Sequence, residues 1–187
     1  MKIVLSILAL SFYMVACGPQ TQTNEQENAT ETETTESVTA IANLSPASGS
    51  EVQGTARFTQ TDQGVRMELE VSGLEPGSVH ALHIHEHGDC SAHDATSAGG
   101  HWNPTNVQHG QRGVSDEFHS GDIDNIQADS DGNARYEFTA EDWSIGGDDA
   151  TNIIGKSVMI HIKPDDFVSQ PTGDAGDRIS CGAIEQE

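Results

Sequence analysis

Val65, Met67, Leu69 and Val71 alternate with Arg66, Glu68, Glu70 and Ser72. A period of two gives that stretch one apolar and one polar face, which predicts a half-buried strand. Residues 52–60 precede it across Thr61-Asp62-Gln63-Gly64, a hairpin-type connection, and Leu74-Glu75-Pro76-Gly77 turns the chain into a strand at 79–86. Further strands are expected at 123–128, 134–139, 155–162 and 179–184. No stretch sustains a helical period, and no internal repeat is found. The predicted class is all-β: an antiparallel Greek-key sandwich or flattened barrel over residues 38–187, with one long insertion at 87–121. An unpatterned insertion of that length serves a function or is held by something.

The residues before this domain do not belong to its core. Lys2 gives a positive start, residues 3–15 are almost wholly apolar, and Met14-Val15-Ala16-Cys17 closes the run with small residues before a cysteine. This reads as an export signal over residues 1–16, and the apolar run is too short for a helix crossing a hydrocarbon layer of roughly 30 Å. The last four residues resemble a bacterial lipoprotein box, which implies lipidation of Cys17; an ordinary secretory signal cut nearby is the alternative. Either way the chain is expected outside the cytoplasm, in the periplasm or cell envelope. Residues 18–37 hold six Thr, five Glu, three Gln and two Asn. Such a composition buries no core and reads as a disordered tether spanning about 25 Å, so that the membrane is met only through the lipid on Cys17.

Charge narrows the partners. The chain has eight Lys and Arg against 30 Asp and Glu, a formal charge of −22, and the part from Ser37 onward keeps seven basic and 25 acidic residues, hence −18. Nucleic acid is excluded as a partner because counterion displacement needs clustered cations. Cys17, Cys90 and Cys181 are the only cysteines. Lipidating the first leaves a pair, which an oxidising compartment should bridge; two buried thiols are the alternative. Pairing of two copies into a homodimer through an exposed sandwich face is left open.

The histidines suggest what holds the insertion. Eight of the nine lie between His80 and His119, and the ninth is His161. His83-Ile84-His85 puts two imidazoles on one strand face, since residues two apart point the same way. His161, flanked by Ile160 and Ile162, is expected to face away from those apolar neighbours and to offer a third nitrogen. Nitrogen-rich ligation suits copper, zinc or nickel rather than calcium or magnesium. Within the insertion and at its end, His101, His109, His119 and Asp122 offer three nitrogens and one oxygen, a plausible closed zinc shell. Taken alone, each histidine has a structural or surface explanation, and His87 and His93 are read as exposed loop residues.

His83-Ile84-His85-Glu86, Gly99-Gly100-His101-Trp102-Asn103-Pro104, His109-Gly110, His119-Ser120-Gly121-Asp122 and Gly176-Asp177-Arg178-Ile179-Ser180-Cys181-Gly182 together, in this order, resemble the Cu/Zn superoxide dismutases in their bacterial exported form. The resemblance spans residues 41–184. It implies an enzyme that converts superoxide to dioxygen and hydrogen peroxide. It further implies copper bound by His83, His85, His101 and His161, and zinc bound by His101, His109, His119 and Asp122, with His101 shared. By the same resemblance Asp165 accepts hydrogen bonds from His83 and His109, His80 is structural, Cys90 pairs with Cys181, and Arg178 docks the substrate anion.

The acidic surface repels such an anion at long range, but screening beyond about 8 Å leaves Arg178 to dominate locally. Residues 167–177 contain no Lys or Arg and do contain Asp174 and Asp177, so steering by that segment is not expected. The competing reading is a non-catalytic copper- and zinc-binding lipoprotein of the envelope. A hydrolytic zinc enzyme needs an open zinc position, which four protein ligands close.

Overall fold

A computed structural model describes residues 37–187. The expected signal peptide, the lipidation of Cys17 and nearly all of the tether lie outside the described residues. Eight strands form: β1 (Thr39–Pro46), β2 (Gln53–Thr61), β3 (Gly64–Ser72), β4 (Val79–His85), β5 (Asp122–Gln127), β6 (Ala134–Ala140), β7 (Ser157–His161) and β8 (Arg178–Gln186). Each hydrogen-bonded pair is antiparallel, in the order β5-β4-β7-β8-β1-β2-β3-β6. The outermost strands of that order, β5 and β6, are consecutive in the chain, so the sheet curls into a nearly closed Greek-key barrel. Among the described residues no helix is long and apolar enough to cross a membrane.

The period-two stretches form strands where predicted, with ends shifted by a residue or two, and β1 is added to them. In β3 the buried positions are Val65, Met67, Leu69 and Val71. They meet Phe58, Leu82, Ile84, Ile126, Ile160 and Ile184 in one continuous core. β4 and β7 depart from alternation. From His80 onward every β4 residue is buried, as is all of β7. Leu82, Ile84, Val158 and Ile160 point into the barrel core. His83, His85, Met159 and His161 take the outer face, and the insertion covers that face.

Main-chain bonds fasten the insertion to β4. Trp102 N–H donates to Ile84 O, Ile84 N–H to Gly121 O, Gly121 N–H to Trp102 O and Glu86 N–H to Gly100 O. His101 forms an isolated bridge with His85. The approach demands glycine at 121, where a Cβ would lie 2.2 Å from Ile84 O. The Thr96–Ala98 segment makes the one short 3-10 turn of the region. A disulfide joins Cys90 in the insertion to Cys181 on β8, closing a sequence separation of 91 residues. Cys181 packs there with Ala47, Ala95, Ala98 and Met159 in a second small cluster.

In the chain-entropy account a loop of this length raises stability by about 4–5 kcal/mol. Replacing both cysteines (Cys90→Ser with Cys181→Ser) should lower the urea unfolding free energy by that order. An unchanged midpoint contradicts the account.

Candidate metal centre

Two groups of side chains on the outer face converge closely enough to hold ions. His83, His85, His101 and His161 form one, and His101, His109, His119 and Asp122 the other; within each, one ligand atom per residue lies within 4.8 Å of the rest. All seven residues are buried. β4 supplies His83 and His85, β7 supplies His161, and β5 begins with Asp122. His101, His109 and His119 come from the insertion. The ladder slips between Leu82 and His83 and again between Ile160 and His161. Such irregularities re-aim side chains. Ile162, expected to be an apolar flank of His161, falls beyond β7 and is 51% exposed. The slip ends the alternation one residue early.

Hydrogen bonds decide which ring nitrogen each histidine keeps free. Asp165 Oδ2 lies 2.8 Å from His83 Nε2 and Oδ1 lies 2.9 Å from His109 Nε2. His85 Nδ1 is bonded to Gly99 O at 3.0 Å and His161 Nδ1 to Gly176 O at 3.1 Å. Their Nε2 atoms face each other at 3.3 Å. His101 Nδ1 is 2.8 Å from Asp122 Oδ1. His109 Nδ1 and His119 Nδ1 approach the Asp122 carboxylate at 3.0 and 3.2 Å without hydrogen-bond geometry.

Four buried nitrogens are left without a hydrogen-bond partner: His83 Nδ1, His101 Nε2, His109 Nδ1 and His119 Nδ1. A buried unsatisfied polar atom costs about 1–3 kcal/mol, so four in one place call for a further partner. Nitrogen atoms 3.0–3.2 Å from a carboxylate oxygen stand near the edge length of a tetrahedron built on zinc bonds of about 2.0–2.1 Å. The four-nitrogen group suits copper and the three-nitrogen, one-oxygen group suits zinc. The donor sets therefore fit the two metals.

Burial and like neighbours set the charges. Burial, reinforced by His101, His161 and Arg178, pushes His85 well below the ordinary histidine value. Burial and then His83 lower His101 to about 4 and His161 to about 3. Burial also pushes His109 down, but Asp122 and Asp165 outweigh it and raise the ring to about 9. Burial alone would raise both carboxyls; the histidine hydrogen bonds win and hold Asp122 and Asp165 far below the carboxylate range.

Arg178, half-buried, donates to Ala95 O at 2.6 Å and to Gly99 O at 2.7 Å. Gly99 O thus serves both Arg178 and His85. His80 bonds Ser78 Oγ and His161 O. His87 and His93 are exposed and stand in neither group. Sequence reading passed over Arg112, whose guanidinium donates to Asp122 O at 2.7 Å, to Ser120 O and to Asp142. The signal was present: Arg112 is the only Lys or Arg between residues 87 and 121.

A two-metal histidine centre on an antiparallel barrel defines the class, and comparison with known proteins agrees. The copper/zinc superoxide dismutase family matches residues 52–184. The chain is 37% identical over 137 residues to superoxide dismutase [Cu-Zn] 2 of Aquifex aeolicus, covering 72% of this chain and 80% of that protein. It is 36% identical over 165 residues to superoxide dismutase [Cu-Zn] of Paramecium bursaria Chlorella virus 1, covering 84% and 83%. A crystal structure of a SOD-like protein from Bacillus subtilis superposes with a TM-score of 0.69 at 33% identity, covering 76% of this chain and 96% of that one. The chain belongs to the copper/zinc superoxide dismutase family. It is accordingly an enzyme that dismutes superoxide, with copper and zinc as cofactors.

The charge states predict a pH response of the metal-free protein. Unfolded histidines protonate near 6.5, whereas His85, His101 and His161 stay neutral in the fold well below that. Between about 6.5 and 4 the unfolded chain binds more protons, so stability falls as pH falls through this window. His109 is protonated in both states below 6.5, and its contribution is lost only as pH rises through about 9. The contribution of Asp122 and Asp165 is lost below about 3.8. The urea midpoint should therefore drop on acidification from about pH 7 to 4.5; a level or rising midpoint contradicts this.

Proposed function

We propose that the chain dismutes superoxide in the cell envelope, with the His101 ring joining a copper held by His83, His85 and His161 to a zinc held by His109, His119 and Asp122. The observation that carries this reading is the membership of His101 in both groups, with Nδ1 on Asp122 and Nε2 buried and free. Copper, when bound, supplies the redox couple that the reaction needs, while zinc carries charge and fixes geometry without changing oxidation state.

The chain's own residues do the rest. Two superoxide anions and two protons give dioxygen and hydrogen peroxide, so each turnover needs one site that takes up and returns a proton. We assign this to Nε2 of His101, the buried ring nitrogen that no hydrogen bond occupies; water supplies the second proton. In the metal-free fold Asp122 Oδ1 holds the opposite nitrogen in place at 2.8 Å, and zinc bound to both residues would keep the ring oriented while Nε2 changes state. Asp165 fixes His83 and His109, one carboxylate oxygen to each.

Arg178 is assigned as the anion-docking group. Its guanidinium stays charged despite partial burial, and two carbonyls, one of them shared with His85, hold it beside the copper group. Lys163, the nearby ammonium in sequence, lies 3.4 Å from an Asp174 oxygen. Arg178 therefore offers the local positive focus on a domain of net charge −18. A metal-storage protein needs neither a shared ring nor a fixed guanidinium.

Export follows from the apolar run at 3–15, and anchoring from Cys17. Mass spectrometry of the mature amino terminus should find a lipidated Cys17; a free terminus downstream contradicts the anchor. Association into a homodimer stays a proposal that sedimentation tests.

Copper- and zinc-loaded protein should consume superoxide, and a zinc-only sample should not; equal activity rejects the copper role. Arg178→Glu should lower kcat/KM by about ten- to a thousandfold at low salt with metal content unchanged. An unchanged rate removes Arg178 from the mechanism.

A further inference from the structure

His109 lies in irregular backbone, and among the described residues neither its N–H nor its C=O has a main-chain partner. One side chain 61 residues away takes both. Gln170 Oε1 accepts from His109 N–H at 2.9 Å, and Gln170 Nε2 donates to His109 O at 2.9 Å. A carboxamide presents an acceptor and a donor in one plane, the pattern a neighbouring strand would offer. Gln170 is exposed while His109 is buried, so the amide stands between the ligand's main chain and water.

The segment that carries Gln170 also presses on the other end of His109. Gly173 N–H donates to Ser169 O and Gly173 O accepts from Asp166 N–H, folding residues 166–173 into a compact turn. A Cβ at Gly173 would fall 1.8 Å from Asp165 Oδ1 and 2.8 Å from His109 Nε2. The turn therefore lies directly on the carboxylate-to-imidazole bond. Asn125 on β5 brackets the main chain of Asp165 in the same fashion, accepting from its N–H at 2.7 Å and donating to its C=O at 2.9 Å. Three residues after Gly173, Gly176 O holds His161 Nδ1.

We infer that Gln170 is a positioning residue: by bracketing the His109 main chain it holds Nδ1 of that ring in the zinc group and makes zinc retention depend on the 166–176 segment. The inference rests on zinc being held by His109, His119, His101 and Asp122. It adds that the segment bordering the copper group reaches across to fasten a ligand of the other metal. Partners that orient ligands from outside the shell alter metal affinity by about ten- to a hundredfold.

The test is metal release from the loaded protein into a chelator. Gln170→Met keeps side-chain length and removes both bonds. Zinc should leave about ten- to a hundredfold faster while copper release stays near that of the unaltered protein. Asn125→Leu, acting through Asp165 on both His83 and His109, should speed the release of both metals. Cobalt(II) placed in the zinc group should show a shifted ligand-field spectrum in the Gln170→Met protein. Zinc release within about twofold of the unaltered protein, or equal acceleration of both metals by Gln170→Met, overturns the inference. An unaltered protein that holds no zinc overturns the ligand reading and the inference with it. Hydrogen exchange on the unaltered protein needs no variant: the His109 amide should be protected, and exchange at the rate of an open loop overturns the bracketing.

Discussion

An imidazole has two nitrogens, and in this protein five of the seven buried rings use one of them to be held by a carboxylate or carbonyl and keep the other for the site. Asp165 takes Nε2 of His83 and His109, Gly99 and Gly176 carbonyls take Nδ1 of His85 and His161, and Asp122 takes Nδ1 of His101. The held nitrogens fix ring orientation, and the free ones converge on two points. Removing a holding group would leave the ring rotating and the free nitrogen unaimed. His101 is the special case, because this one ring is a member of both groups.

The barrel supplies the rigidity on which this convergence depends. β4 and β7 each offer a core-facing set of aliphatic residues, and the same two strands carry His83, His85 and His161 on the outer face. That face is dry only because the insertion folds back over it, through bonds between Trp102, Gly121 and Ile84 and through the disulfide to β8. Backbone order and side-chain chemistry are thus coupled. Gly99 closes the insertion's turn through its N–H, and its carbonyl orients His85 and anchors Arg178.

Much of this was legible in the sequence because alternation reports burial. Strands β2, β3 and β6 carry apolar residues at every second position, and His83-Ile84-His85 reads directly as two rings on one face. β1 was missed because its buried positions include Ala40 and Ala42, whose small side chains give little hydrophobic contrast. The exposure of Ile162 was missed because a ladder slip has no sequence mark. The groups that aim the histidines were legible only in part. Asp165 stands four residues after His161 and could be named by resemblance, whereas Gly99 O and Gly176 O are main-chain atoms that any residue possesses. Gln170 reaches His109 across 61 residues, and contacts of that range follow from topology alone.

The proposed mechanism requires one ring, that of His101, to serve two metals. Anomalous diffraction at the copper and zinc absorption edges, on crystals of the oxidised and fully loaded protein, tests it most directly. The account predicts zinc on Nδ1 and copper on Nε2 of His101. Either metal found on other ligands, or a His101 ring turned away from one of them, would contradict it.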